Sequence, residues 1–198
     1  MITYIHYGSE HYNPNRFLPV RNDARITKPA EGTGLWAGRE GETYEDGQVI
    51  YGWKEWCTDS KYRVELLKKS FRFRLADTAN VLTLMDPGDL VRLPKTAPWE
   101  YKDSRTLLNL QEGEMPTMEQ LHEFYRRNPC FLDYEKLLND GVDGIELRNS
   151  HLFARYLIDW NCDCLLVLNP EVIIPVSDTQ NHVLIHPVKY PEQERGES

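Results

Sequence analysis

No stretch of the chain approaches the 18 or so consecutive apolar residues that a membrane-spanning helix needs. The opening residues, Met1 to Ser9, lack a basic n-region followed by an apolar h-region, so they do not read as a secretory signal and a cytoplasmic location is expected. Cysteine is scarce. Cys57, Cys130, Cys162 and Cys164 are too few and too irregularly spaced for a disulfide scaffold, which makes free thiols the expectation. Cys162-x-Cys164 is the one close pair, and no second Cys or His pair stands at zinc-finger spacing, so no metal is expected. His-Glu-x-x-His, a Walker glycine-lysine loop and a Gly-x-Ser-x-Gly elbow are all missing, which removes the commonest zinc-protease, P-loop and hydrolase readings.

What remains is a chain of 198 residues, 40% hydrophobic and 27% charged, the size and balance of one domain that buries its own core. Its formal charge of −8 argues against a non-specific coat on nucleic acid or an anionic membrane. The charge is unevenly spread. Lys61, Arg63, Lys68, Lys69, Arg72 and Arg74 lie within fourteen residues beside one acid, Glu65, a window of +5 that leaves −13 elsewhere. Such a run is ordinarily a solvated surface, and its sharper reading is a cationic face for a phosphate-bearing ligand.

Residues 1–7 alternate as a short strand ended by Gly8-Ser9, and residues 10–34, rich in Pro and Gly, read as a long ordered loop. An aromatic cluster, Tyr51, Trp53 and Trp56, leads into a helix running through Leu66 and Leu67. Phe71–Leu75 and Val81–Leu84 read as a pair of strands, with a turn at Asp86-Pro87-Gly88-Asp89. Thr117 and Gln120 form a capping-box pattern before Leu121, Phe124 and Tyr125, and Asp133 caps a helix that ends at Gly141. Strands follow at 142–147, 164–168, 172–176 and 183–188, with a short helix at 150–158 and a polar tail over 191–198. Without regular strand-helix alternation, the pattern predicts a single α+β domain over 1–190.

Trp36, Trp53, Trp56, Tyr7 and Tyr51 are interleaved with glycines (Gly32-Thr33-Gly34, Gly52). That interleaving suits a slot with planar walls for a flat heteroaromatic ring, although aromatic clusters more often form core. In chain order, His6-Tyr7-Gly8-Ser9 resembles the His-Gly-Ser/Thr motif of ADP-ribosyltransferases. Gly32-Thr33-Gly34-Leu35-Trp36-Ala37 is similar to the Gly-x-Gly-Ile-Tyr-Phe-Ala stretch of their poly(ADP-ribose) polymerase branch. Trp53-Lys-Glu-Trp56-Cys57 resembles the stacking-aromatic segment that follows it, and Leu165–Pro170 the late strand whose start carries the catalytic glutamate.

The resemblance implies NAD held in a cleft of split, mixed β-sheets with flanking helices. Gly8 would grip the nicotinamide carboxamide, Ser9 would bond the ribose, Gly34 and Trp53 would belong to the binding stretches, and Trp36 and Trp56 would stack on the ring. The family histidine falls on Tyr7 if Gly-Ser is held in register, with His6 one residue early, so both are candidates. The family glutamate falls on Cys164. Asp163, one residue early, is the favoured carboxylate, ahead of Glu146 and Glu171; an ordinary turn residue before a strand is its structural alternative. The resemblance implies a mono-ADP-ribosyltransferase, of microbial or phage effector or toxin type. It would move ADP-ribose from NAD to a protein or nucleic acid and be restrained by an antitoxin or inhibitor. An NAD glycohydrolase and a non-catalytic nucleotide- or protein-binding module of the same fold are the alternatives.

Overall fold

The structure, a computed structural model, describes residues 2–101, 109–120 and 128–176. Seven strands form its frame: β1 (Tyr4–Tyr7), β2 (Leu35–Arg39), β3 (Ser70–Leu75), β4 (Val81–Leu84), β5 (Gly144–Leu147), β6 (Cys164–Val167) and β7 (Ile173–Val176). They make one sheet in the order β4-β5-β6-β2-β1-β3-β7, antiparallel throughout except for the parallel β4–β5 pair. With helices α1 (Trp53–Ser60), α2 (Tyr134–Asn139) and α3 (Ser150–Phe153), this is a mixed α+β domain.

The sheet changes partner inside one strand. β2 pairs with β6 through Leu35, Trp36 and Ala37, and with β1 only at Arg39↔Tyr4 and Gly38↔Ile5. Past Ile5 the ladder between β1 and β2 stops, and a seam runs between the end of β1 and the start of β2. Because side chains alternate along a strand, each half presents two faces. Tyr4, Phe71, Phe73, Ala37, Leu165 and Val167 fill a small core on one face. The larger core on the other face holds Leu166, Ile145, Leu147 and Cys164, covered by Tyr134, Leu137, Phe153, Leu157 and Trp160.

Local signals account for the helices. Asp133 accepts from the Lys136 N–H at 3.0 Å to start α2, and the left-handed Gly141 follows its end. α3 follows Asn149 and occupies only the first residues of the expected 150–158 helix. The expected helix through Leu66 and Leu67 is corrected. α1 stops at Ser60, Lys61 and Arg63 are left-handed, and the chain restarts as a 3-10 turn over Val64–Lys68. Residues 61–65 are all exposed, so no apolar face stabilises a continuous helix there.

β3 and β4 are both strands, as their alternation predicts, but they do not pair with each other. β3 lies between β1 and β7, while Asn80, whose N–H donates to Asp143 at 2.8 Å, hands the chain to β5 at the far side. The long 10–34 segment is ordered by contacts rather than by strands. Val20 is buried, Asn22 donates to Asp133 at 2.8 Å, and both the N–H and hydroxyl of Thr27 donate to Asp159. The Thr117–Gln120 capping box forms, with bonds of 2.8 and 3.2 Å. Its helical face at Leu121, Phe124 and Tyr125, the 183–188 strand and the 191–198 tail lie outside the described residues.

Candidate functional site

His6 stands at the seam. Its Nδ1 lies 2.7 Å from the Trp36 carbonyl oxygen, which β2 would otherwise turn toward a ladder partner on β1. A carbonyl only accepts, so Nδ1 carries the proton, and in the neutral ring Nε2 is an acceptor. Burial holds the imidazole below its ordinary pKa, against the opposing pull of the Trp36 bond, so the neutral form is favoured. The ring rests on Phe71 at 5.0 Å, and Tyr12 covers Phe71 in turn at 5.9 Å.

The register separates the other candidates. Tyr4 pairs with Arg39, so His6 leaves the sheet on the Tyr4–Arg39 face, whereas Tyr7 and Trp36 leave on the opposite face with Leu166. Trp36 meets the buried Trp160 edge-on at 4.7 Å and packs with Trp53 and Trp56 against the larger core. Tyr7 is half-buried, and its hydroxyl is pushed up by burial and then by the carboxylates of Glu55 and Glu40. Tyr7 and Trp36 therefore border the seam on one face of the sheet and His6 borders it on the other, while Trp53 and Trp56 pack with Trp36 against the larger core. On α1, Trp53 and Trp56 lie 5.1 Å apart, with Tyr62 edge-on to both.

Two glycines shape the rim. Gly8 has φ +101, and its N–H donates to the Lys69 carbonyl at 2.7 Å. Ser9 donates its hydroxyl to the His11 carbonyl at 2.8 Å, which leaves the oxygen able to accept. Gly34, at φ +68, places its Cα so close to β6 that a Cβ would meet Leu166 Cδ1 at 2.8 Å.

The candidate carboxylates are committed to neighbours. Asp163, 3% exposed, accepts from the Ser150 N–H at 2.8 Å on one oxygen, and from Tyr44 at 3.3 Å and the Tyr51 N–H at 3.4 Å on the other. Those bonds tie the start of α3 and the approach to α1 to the entry of β6. Glu146, 4% exposed on β5, accepts from Arg39 and Tyr4 on one oxygen and from Arg148 twice on the other, at 2.9–3.2 Å. Tyr44 lies between the two guanidiniums, at 4.5 and 5.1 Å from its ring. Burial, reinforced by the adjacent carboxylates, pushes the hydroxyls of Tyr4 and Tyr44 up, so both stay protonated donors. Glu171 is exposed, in the 3-10 turn Pro170–Val172 after β6.

This buried network of Tyr4, Arg39, Tyr44, Glu146, Arg148 and Asp163 went unread in the sequence. Its one local sign is the spacing of Glu146 and Arg148, which puts both on one strand face. The basic window resolves into paired and unpaired charges. Arg72 meets Glu40 at 2.6 Å and Lys69 meets Glu10 at 3.6 Å, whereas Lys61, Arg63 and Lys68 have no ion pair among the described residues. An open cavity of about 390 Å³ lies away from the seam, between β4 and the 3-10 turn Pro87–Arg92, lined by Leu82, Leu84, Asp89 and Arg92. All four cysteines are free and buried. Among the described residues no helix is long and apolar enough to cross a membrane, and no group of three or more His, Cys, Asp or Glu side chains is placed to hold a metal ion. Scanned against protein-family models, curated proteins and solved structures, the chain matches none of them.

Proposed function

We propose that the chain is an NAD-dependent mono-ADP-ribosyltransferase whose seam between β1 and β2 receives the nicotinamide riboside. The observation that carries the reading is the interruption of the β1–β2 ladder, with a neutral imidazole in the gap and two aromatic residues, Tyr7 and Trp36, on the strands that border it. The nicotinamide ring of NAD is a planar cation that stacks well on tryptophan faces. In this reading Trp36, Trp53 and Trp56 hold the ring, Tyr7 borders it, and His6 Nε2 accepts from a ribose hydroxyl. Since the Gly8 N–H is engaged by Lys69, the carboxamide is gripped through the Gly8 carbonyl and Ser9. The C1′–N bond breaks with its electron pair leaving on nicotinamide. The nucleophile of a macromolecular acceptor bonds C1′ and releases its proton to solvent. A dry, dipole-lined cleft stabilises the cationic centre between these events.

A second reading, a nucleotide-binding module without turnover, is favoured by the state of the acids. Asp163 would have to exchange a bond to Ser150, Tyr51 or Tyr44 to reach a ribose, and Glu146 would have to leave two arginines. Labelled NAD separates the two. Transfer of label to a macromolecule, lost in Trp36→Ala, supports the transferase; free ADP-ribose without transfer supports hydrolysis; binding without turnover supports the module. Activity abolished by Asp163→Asn and retained by Glu146→Gln, each checked for folding by melting temperature, assigns the carboxylate to Asp163. Turnover undiminished in both Trp36→Ala and Asp163→Asn removes the seam as the site.

A further inference from the structure

The end of α1 and the turn that follows present a surface on which Tyr62 stands outside both cores, over two tryptophans that pack partly against the larger one. Tyr62 is exposed, Trp53 and Trp56 are half-buried, and the three rings form one contiguous cluster with centroids 5.1–6.2 Å apart. Lys61 and Arg63 flank Tyr62 and Lys68 ends the following 3-10 turn, all exposed and without an ion pair among the described residues. Arg63 lies over the Tyr62 ring at 5.2 Å. Lys61 and Arg63 both adopt left-handed backbone, at φ 56 and 47, a conformation that disfavours side chains other than glycine's and that places this turn among strained, outward-facing segments. The acids in the stretch are Glu55, Asp59, which accepts from Tyr51 at 3.0 Å, and Glu65, against the cations Lys54, Lys61, Arg63 and Lys68. The surface adjoins the seam directly, because Lys69 at the end of the same segment accepts from Gly8.

One exposed ring, Tyr62, backed by two tryptophans and flanked by cations, fits a strand whose bases are unstacked and whose phosphates run alongside. Each base offers a face to stack, and each phosphate a charge to pair. A duplex hides its faces, and an acidic polypeptide has few rings to offer. We propose that this surface binds single-stranded nucleic acid, and that the bound strand is the acceptor of the transfer proposed above. Only the second clause rests on the transferase reading. In that step a hydroxyl, phosphate oxygen or ring nitrogen of the strand bonds C1′ as nicotinamide departs, and any proton it carried goes to solvent. The surrounding −13 confines attraction to this patch, so binding is short-ranged and steeply salt-dependent.

The test is fluorescence anisotropy of the full chain with labelled dT20 and rU20, without NAD. At least one oligomer is expected to bind and to weaken about 20-fold between 50 and 200 mM salt, the change three phosphate contacts produce on a single strand. Tyr62→Ala is expected to weaken binding about 10-fold, and Lys61→Glu with Arg63→Glu at least as much, at unchanged melting temperature. Failure of both oligomers to bind, variants that bind like the parent, or equal competition by polyglutamate overturns the surface. Labelled NAD is then added with the bound oligomer. Oligomer binding with no NAD turnover leaves the surface standing and defeats the acceptor role together with the transferase reading. Turnover that labels protein and never the oligomer defeats the acceptor role alone.

Discussion

Gly8 and Gly34 both sit at the rim of the seam with positive φ, yet different forces fix them. At Gly8 an added Cβ meets nothing within 4 Å, so Gly8→Ala costs backbone strain alone, about 1–2 kcal/mol. At Gly34 the same methyl meets Leu166 Cδ1 at 2.8 Å and the Val167 carbonyl at 3.2 Å, which adds overpacking of about 1–3 kcal/mol. Denaturant unfolding is expected to show Gly34→Ala as the more destabilised of the two, and equal losses would mean that β2 shifts away from β6 without cost. The sequence made both glycines visible through their motifs. It did not show why Gly34 must be glycine, because Leu166 lies 132 positions further along the chain. Residue types carry local conformational needs in plain view, whereas close approaches belong to pairs that only the fold brings together.

At the scale of elements, alternation and capping placed the strands well, and pairing was where the reading fell short. β3 and β4 are close in sequence but stand at different ends of the sheet order, since a connection across the sheet is set by where β5 and β7 lie rather than by the turn itself. The break after α1 was missed for a related reason. The helix was expected to run on through Leu66 and Leu67, but the exposed stretch before them offers no buried face. Relief of that break is measurable. Lys61→Gly removes the left-handed penalty, offset in part by glycine's extra entropy in the unfolded chain, for a net gain of about 0.5–1 kcal/mol. The melting temperature is expected to rise by about 1–4 °C. A fall would mean that the Lys61 side chain supports the turn through contacts of its own.

For the molecule as a whole, one acidic α+β domain was legible from composition and pattern, and the network around Glu146 was not. Burying two arginines against two carboxylates and two tyrosines draws on five segments of the chain, so no local window contains it. The thiols report the integrity of the whole. Cys57, Cys130, Cys162 and Cys164 are all buried, and burial pushes the Cys130 thiol up to about 12, leaving almost no thiolate near neutrality. Iodoacetamide at pH 8 is expected to label none of the four in the native protein and all four in denaturant. Prompt labelling of Cys57 or Cys162 alone would locate an opening at α1 and the approach to β6.

The strand that joins the two halves of the sheet also sets an order of events during synthesis. β2 finds its β1 partner almost at once, but only for two residues, and its main partner, β6, is joined through pairs such as Trp36↔Leu166, 130 residues apart. At about 5–20 residues per second, the early half of the sheet spends roughly 6–26 s with its long edge uncovered. A nascent chain in that interval exposes Leu35, Trp36 and Ala37 to any passing strand or chaperone. Slowing translation between residues 40 and 160 therefore lengthens exposure to misassembly without altering the final fold.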